Sequence, residues 1–351
     1  MDIAQIDRNF AVQTSLDIEN ITFYDAKDDR FSLYGVFYED GMYRRLPESV
    51  AQTVSEKVHA LHSHTAGGRL KFRTNSSFVA IKAVMPTIGK MPHFALTGSA
   101  GFDLYLGKKE TYFNSFVPPF AITDVYEKAI RFKEKKLREI TINFPLYSSV
   151  SQLYIGLEEG AVLKKASGYK YEKPIVFYGS SITQGGCASR PGNAYQSILS
   201  RALHTDYVNL GFSGSGKAED AIAQYIKDLD MSVFVYDYDH NATTLQYLQG
   251  THQKMFLTIR EHRPELPIVL LSRPKFRLNE TEKKRLAVIE KTYTDSLAAG
   301  DRNVYFIEGP KLMAYAKDDG TVDGVHPNDL GFYSMAKALT KPLKDILERT
   351  P

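Results

Sequence analysis

Ile175-Val176-Phe177-Tyr178-Gly179-Ser180-Ser181-Ile182-Thr183-Gln184-Gly185-Gly186 is an apolar run of strand length that breaks into glycines and small hydroxyl residues. A run apolar at every position reads as a strand buried on both faces, the pattern of parallel sheets covered by helices. Four similar runs follow: Tyr207-Val208-Asn209-Leu210, Val233-Phe234-Val235-Tyr236, Ile268-Val269-Leu270-Leu271 and Val304-Tyr305-Phe306-Ile307. Between them lie amphipathic windows of helical length at about 193–203, 218–228, 245–262 and 281–299, and a last one follows Asn328. From Pro174 onward the chain is therefore expected to form an α/β domain, a doubly wound parallel sheet of five strands. Ligands of such sheets bind beyond the carboxyl ends of the strands, so the residues after each strand matter most.

Working outward, the pattern changes near Lys164 to Lys173. Upstream, Arg69-Leu70-Lys71-Phe72-Arg73-Thr74, a turn at Asn75-Ser76-Ser77, and Phe78-Val79-Ala80-Ile81-Lys82-Ala83-Val84 alternate with period two. Phe102 to Leu106, Glu139 to Phe144 and Gln152 to Leu157 add further candidates. An all-β sandwich or jelly roll is the economical architecture for this half. With 351 residues, about twice the usual single-domain length, two domains are expected, at 1–165 and 172–351.

Composition narrows the function classes. The 44 basic and 41 acidic residues leave a formal net charge of +3 and no large single-sign field, so no nucleic-acid partner is expected. The locally basic run Lys128 to Arg138 reads as one solvated face. The opening Met1-Asp2-Ile3-Ala4-Gln5-Ile6-Asp7 lacks a signal peptide's apolar core and no stretch has the length of a membrane span. A cytoplasmic location without membrane contact is the expectation, and a secreted one would follow if a leader had been removed. The lone cysteine, Cys187, can form no internal disulfide and excludes a cysteine-cluster metal site. Nothing in the sequence sets the oligomeric state, and a homo-oligomer is compatible with it.

Chemistry enters at the strand ends. A serine in the turn after the first strand sits beside helix N-terminal N–H groups, although a plain Gly/Ser turn would contain one too. It needs a base, and Asp323-Gly324-Val325-His326-Pro327-Asn328 supplies a histidine between the fifth strand and the last helix. An aspartate three residues earlier can bond the histidine ring within one loop, fixing its tautomer. His240 is a second histidine near a strand end, with Asp237 and Asp239 close in sequence; it reads as a bystander or substrate contact. Cys187, six residues past Ser181, reads as an incidental cysteine rather than a nucleophile.

Gly179-Ser180-Ser181-Ile182-Thr183 resembles the first sequence block of the SGNH/GDSL hydrolases, and Asp323-Gly324-Val325-His326-Pro327 resembles their last. Asn209-Leu210-Gly211-Phe212-Ser213-Gly214 and Asp239-His240-Asn241 resemble the two middle blocks. The resemblance implies Ser181 as nucleophile, His326 as base and Asp323 as its partner. It also implies an oxyanion hole of the Ser181 and Gly214 N–H groups and the Asn241 amide, where losing one donor costs about 3 kcal/mol. Gly101-Phe102-Asp103-Leu104-Tyr105 fits the Gly-x-Asp-Leu-Tyr signature of a β-sandwich domain preceding one branch of this family. Ser180 replaces the usual aspartate, Asp239 a glycine and Ala242 an aspartate, which leaves the substrate class open.

The resemblance implies a serine esterase that needs no metal or organic cofactor and acts on a small-molecule or oligosaccharide ester, with acetyl the expected acyl group. A lipase or acylhydrolase on longer-chain or thioester substrates is the alternative. A non-catalytic carbohydrate-binding protein is the weaker rival, as is a nucleotidase: Gly211-Phe212-Ser213-Gly214-Ser215-Gly216-Lys217 nearly matches a P-loop, but Ala218 stands where the magnesium-binding hydroxyl belongs.

Overall fold

The computed structural model describes residues 14–349. The opening stretch Met1 to Asp7, read above as lacking a leader's core, lies outside the described residues. The N-terminal half is a β-sandwich of two antiparallel sheets. One runs β1 (Ile21–Asp25), β11 (Gln152–Glu158), β6 (Phe78–Val84) and β9 (Val125–Arg131). The other runs β12 (Leu163–Lys165), β5 (Arg69–Thr74), β10 (Arg138–Asn143), β7 (Phe102–Leu106) and β8 (Thr111–Phe116), and β2 (Ser32–Tyr34) shares an edge of β5 with β12. Alternate residues such as Leu70 and Phe72 of β5, Val79 and Ile81 of β6 and Ile140 and Ile142 of β10 point into one core between the sheets. The hairpin of β3 (Phe37–Glu39) and β4 (Met42–Arg44) leads to two short helices, Glu48–Val54 and Glu56–Leu61. The basic run lies on β9 and the turn after it, where Lys135 pairs with Glu158 and Arg138 stacks on Phe132. It is a solvated face, as its sequence suggested.

The C-terminal half is a five-stranded parallel sheet in the order β14 (Thr205–Gly211), β13 (Tyr171–Gly179), β15 (Val233–Asp237), β16 (Ile268–Leu271) and β17 (Val304–Ile307). Helices Tyr195–Leu203 and Asp329–Leu347 pack together, and helices Asp220–Asp228, Leu245–His262 and Glu280–Ala298 form a second group in sequence. The strand residues divide between two apolar cores: Ile175 and Phe177 face one, Val176 and Tyr178 the other. This is why the runs are apolar without alternation.

The order 2-1-3-4-5 puts the topological switch point between β13 and β15, where a crevice opens at the carboxyl edge. Register levels the strand ends there, since Gly179 pairs with Gly211 on one side and Asp237 on the other. Among the described residues no helix is long and apolar enough to cross a membrane.

Candidate active site

Three loops leave the sheet at that common level. After β13 the chain turns into the short helix Ser181–Gln184, and Ser180 caps it by accepting the Ile182 N–H at 3.2 Å. The turn is tight enough to require glycine at 179, where a Cβ would lie 1.9 Å from the Asp237 carbonyl oxygen and 2.2 Å from Thr183 Oγ1. Ser181, at the first position of the helix, is only 9% exposed, and its N–H has no acceptor within so short a helix.

Ser181 Oγ lies 2.9 Å from His326 Nε2, and His326 Nδ1 lies 2.7 Å from Asp323 Oδ2. Asp323 Oδ1 accepts the backbone N–H of His326 at 2.7 Å and of Val325 at 2.9 Å. Burial would raise the Asp323 pKa, but the hydrogen bond from the imidazole and those two N–H bonds outweigh it and hold the carboxyl at about 2. It is an anion at any working pH, and so keeps a proton on Nδ1 and leaves the lone pair of Nε2 facing the serine. The loop is pinned from both sides. Val322 N–H donates to the His326 carbonyl at 2.9 Å, and Asp329, which follows in the last helix, accepts Ser189 N–H and Asn193 Nδ2 at 2.9 Å each.

The loop after β14 curls over the serine turn. Phe212 N–H donates to the Gly179 carbonyl at 3.0 Å, and Ser213 N–H to Gln184 Oε1 at 3.0 Å. Gly214 lies at its exposed tip with φ +64°, a left-handed conformation glycine adopts without strain. Asn241, in the turn Asp239–Asn241 after β15, donates from Nδ2 to the carbonyls of Phe212 and Gly216 at 2.9 Å each. The structure thus brings Ser181, Asp323 and His326 into one hydrogen-bonded chain. Asn241, expected as an oxyanion donor, instead has both Nδ2 hydrogens on carbonyls of the loop that carries Gly214, and braces that loop.

The Gly211-to-Lys217 segment does not run directly into a helix as a P-loop does. The helix begins at Asp220, after Ala218 N–H has bonded Tyr178 Oη at 2.8 Å. His240 has no carboxylate to orient it: Asp237 accepts from Thr183 and Tyr195, and Asp239 from Arg285. Burial, with Arg273 and His326 adding, pushes its pKa well below the ordinary histidine value, so it stays neutral. Cys187 is buried, and burial raises its thiol to about 12, which leaves almost no thiolate.

Several residues that matter here carried no role in the sequence reading. Gln184 joins the serine helix to the Gly214 loop, and Tyr147 donates to the Ser181 carbonyl at 3.1 Å from the N-terminal half. Arg45, also N-terminal and fully buried, donates to the carbonyls of Asn209 at 3.0 Å and Gly211 at 2.7 Å. Gln184 directly follows the block Gly179 to Thr183, whereas the other two were invisible without tertiary contacts.

The GDSL-like lipase/acylhydrolase family matches residues 172–344, and the N-terminus of the SGNH-hydrolase-type esterases matches residues 21–163. A GDSL-like lipase from Bacteroides ovatus is 30% identical, with a TM-score of 0.84 over 94% of this chain and 98% of its own. A salicylyl-acyltransferase from a tetracycline biosynthetic pathway is 20% identical, with a TM-score of 0.76 over the same shares. An acetyl xylan esterase from the rumen bacterium Butyrivibrio proteoclasticus is 12% identical, with a TM-score of 0.61 over 93% of this chain and 99% of its own. No curated protein matches the sequence.

Proposed function

The chain belongs to the GDSL-like lipase/acylhydrolase family, as an ester-hydrolysing enzyme with an SGNH-type N-terminal domain, and from that premise we propose that Ser181 is the nucleophile of a serine esterase for short acyl groups on carbohydrates. The observation that carries this is the unbroken chain Ser181 Oγ, His326, Asp323, at 2.9 and 2.7 Å, on the carboxyl edge of the sheet.

In this mechanism His326 Nε2 takes the hydroxyl proton as Ser181 Oγ attacks the ester carbonyl. Asp323 stabilises the imidazolium that forms. The oxyanion meets the N–H groups of Ser181 and Gly214, with Asn241 bracing the loop that carries the second. His326 then returns the proton to the leaving alcohol, and water cleaves the acyl-enzyme by the same route.

The acyl part is proposed to be small, chiefly acetyl. Tyr147 closes in on the serine turn, since a Cβ on Gly186 would lie 2.8 Å from its hydroxyl. The acetyl xylan esterase of like fold is consistent with a carbohydrate alcohol. The test is turnover of p-nitrophenyl acetate against longer-chain esters and of acetylated oligosaccharides, in wild type and Ser181→Ala. Loss of all turnover in the variant, with acetate preferred, is expected. Undiminished hydrolysis by the variant would remove Ser181 from the mechanism, and preference for long chains would favour the lipase alternative.

A further inference from the structure

We infer that His93, Cys187 and His326 form a binding site for a thiophilic divalent cation, with zinc the best match, and that its occupation switches the esterase off. One ligand atom from each, two imidazole nitrogens and one sulfur, all lie within 4.8 Å of one another. They arrive from three parts of the chain: the N-terminal half, the turn after the serine helix and the loop before the last helix. The rings of His93 and His326 are 5.7 Å apart between centroids and inclined at 48°.

A thiolate with two imidazoles selects zinc over calcium and magnesium, which take oxygen ligands. Three protein ligands leave the fourth tetrahedral position to water. Zinc bonds of about 2.0–2.3 Å set tetrahedral ligand atoms about 3.3–3.6 Å apart, so the three atoms must close by up to about 1.5 Å, to which rotation of the exposed His93 ring contributes. Binding replaces the Cys187 S–H bond with a sulfur–zinc bond and releases one proton to solvent; no electrons move.

The outer shell is already built. A zinc-bound histidine commonly has its second nitrogen held by a carboxylate, a backbone carbonyl or water, and Asp323 holds His326 Nδ1 at 2.7 Å. Only Nε2 is left for the metal, and Nε2 is the atom that faces Ser181 Oγ at 2.9 Å. The cation would therefore occupy the lone pair the serine needs. A second cluster, Glu48, His59 and His62, is equally compact, but there the Arg44 guanidinium contacts both His62 Nε2 and Glu48 and fills the place of a cation.

The binding half of this inference stands by itself; the switching half rests on the reading of Ser181 and His326 given above. The experiment uses the full chain, stripped of metal, as wild type, Cys187→Ser and His93→Ala. Zinc chloride is titrated by calorimetry, cobalt(II) chloride serves as the spectroscopic probe, and p-nitrophenyl acetate turnover is read relative to each variant's own metal-free rate. One zinc per wild-type chain is expected, weakened at least tenfold in each variant, with a cobalt–thiolate charge-transfer band that Cys187→Ser lacks. Zinc is expected to stop wild-type turnover, with recovery on chelation, and to need at least tenfold higher concentration in the variants. Absent binding, binding unchanged in both variants, or cobalt binding without the band would overturn the site. Full occupancy with undiminished turnover would overturn the switch. An inactive metal-free wild type would count against the esterase reading and leave the binding result intact. His93 is exposed, so its variant keeps the test decisive if Cys187→Ser fails to fold.

Discussion

Ser180 stands where the family's first block usually has aspartate, and it does the work of a helix cap, accepting the Ile182 N–H. Serine and aspartate cap about equally well, so the departure leaves the backbone at Ser181 in place. Asp323 acts on the ring it faces. Replacing it by Asn preserves an acceptor for the two backbone N–H groups but loses the anion, so kcat is expected to fall by about 10³- to 10⁴-fold, with melting temperature nearly unchanged; steady-state kinetics and calorimetry check both halves. Asn241→Ala is expected to behave differently. It removes the side-chain donor to the Phe212 and Gly216 carbonyls, of which Phe212 keeps the Ser215 and Gly216 N–H groups, so a loss of about 10²- to 10³-fold in kcat should come with destabilisation of about 1 kcal/mol. Serine, aspartate and histidine were legible because each falls in a short block after a strand. The bracing role of Asn241 was not, because it depends on where two carbonyls of another loop point.

At the scale of elements, the five parallel strands could be read because burial on both faces writes an unbroken apolar run. The sandwich was only partly readable. Strands β2, β3 and β12 are three residues each, and β8 is mostly exposed, so neither length nor alternation marks them. The helices Glu48–Val54 and Glu56–Leu61 were missed for a similar reason, being short and separated by Ser55, which caps the second. The end of β15 carries a pH dependence. Asp237 is 1% exposed, and burial, with Asp239 nearby adding and bonds from Thr183 and Tyr195 opposing, raises its pKa to about 8. The folded chain thus keeps a proton that the unfolded chain loses near pH ~4. The contribution is fully present below that value, declines as pH rises and levels off above about 8. Asp237→Asn, always neutral, is expected to gain stability relative to wild type between pH 5 and 8. Melting temperatures of the pair across that range check the sign, and a difference that shrinks with pH would contradict it.

At the scale of the whole molecule, the two halves are joined by buried polar clasps rather than by a loose tether. The Gly-x-Asp-Leu-Tyr motif is one of them. Asp103 is fully buried and accepts from Asn143 at 2.7 Å, from Gly192 N–H at 2.8 Å and from Arg190 at 3.2 Å. Tyr105 packs where a Cβ on Gly192 would be 2.0 Å from its hydroxyl. The motif was recognisable in the sequence, but its partners, at 190–192, were not. Arg45 and the pair of Arg69 and Asp206 are further clasps. Asp103→Ala takes the acceptor from the buried Gly192 N–H and Asn143 amide, so a loss of about 1–3 kcal/mol is expected, read as a lower denaturation midpoint. Through these contacts the sandwich reaches the carboxyl edge of the sheet, with Tyr147 on the serine turn and Arg45 on the end of β14, yet the proposed chemistry is assigned to one hydroxyl. That assignment is tested most directly by treating the protein with a fluorophosphonate and mapping the adduct by mass spectrometry. One adduct per chain is expected, on Ser181, forming far more slowly in His326→Ala. An adduct on any other residue, or none in a preparation that still turns over ester, would contradict it.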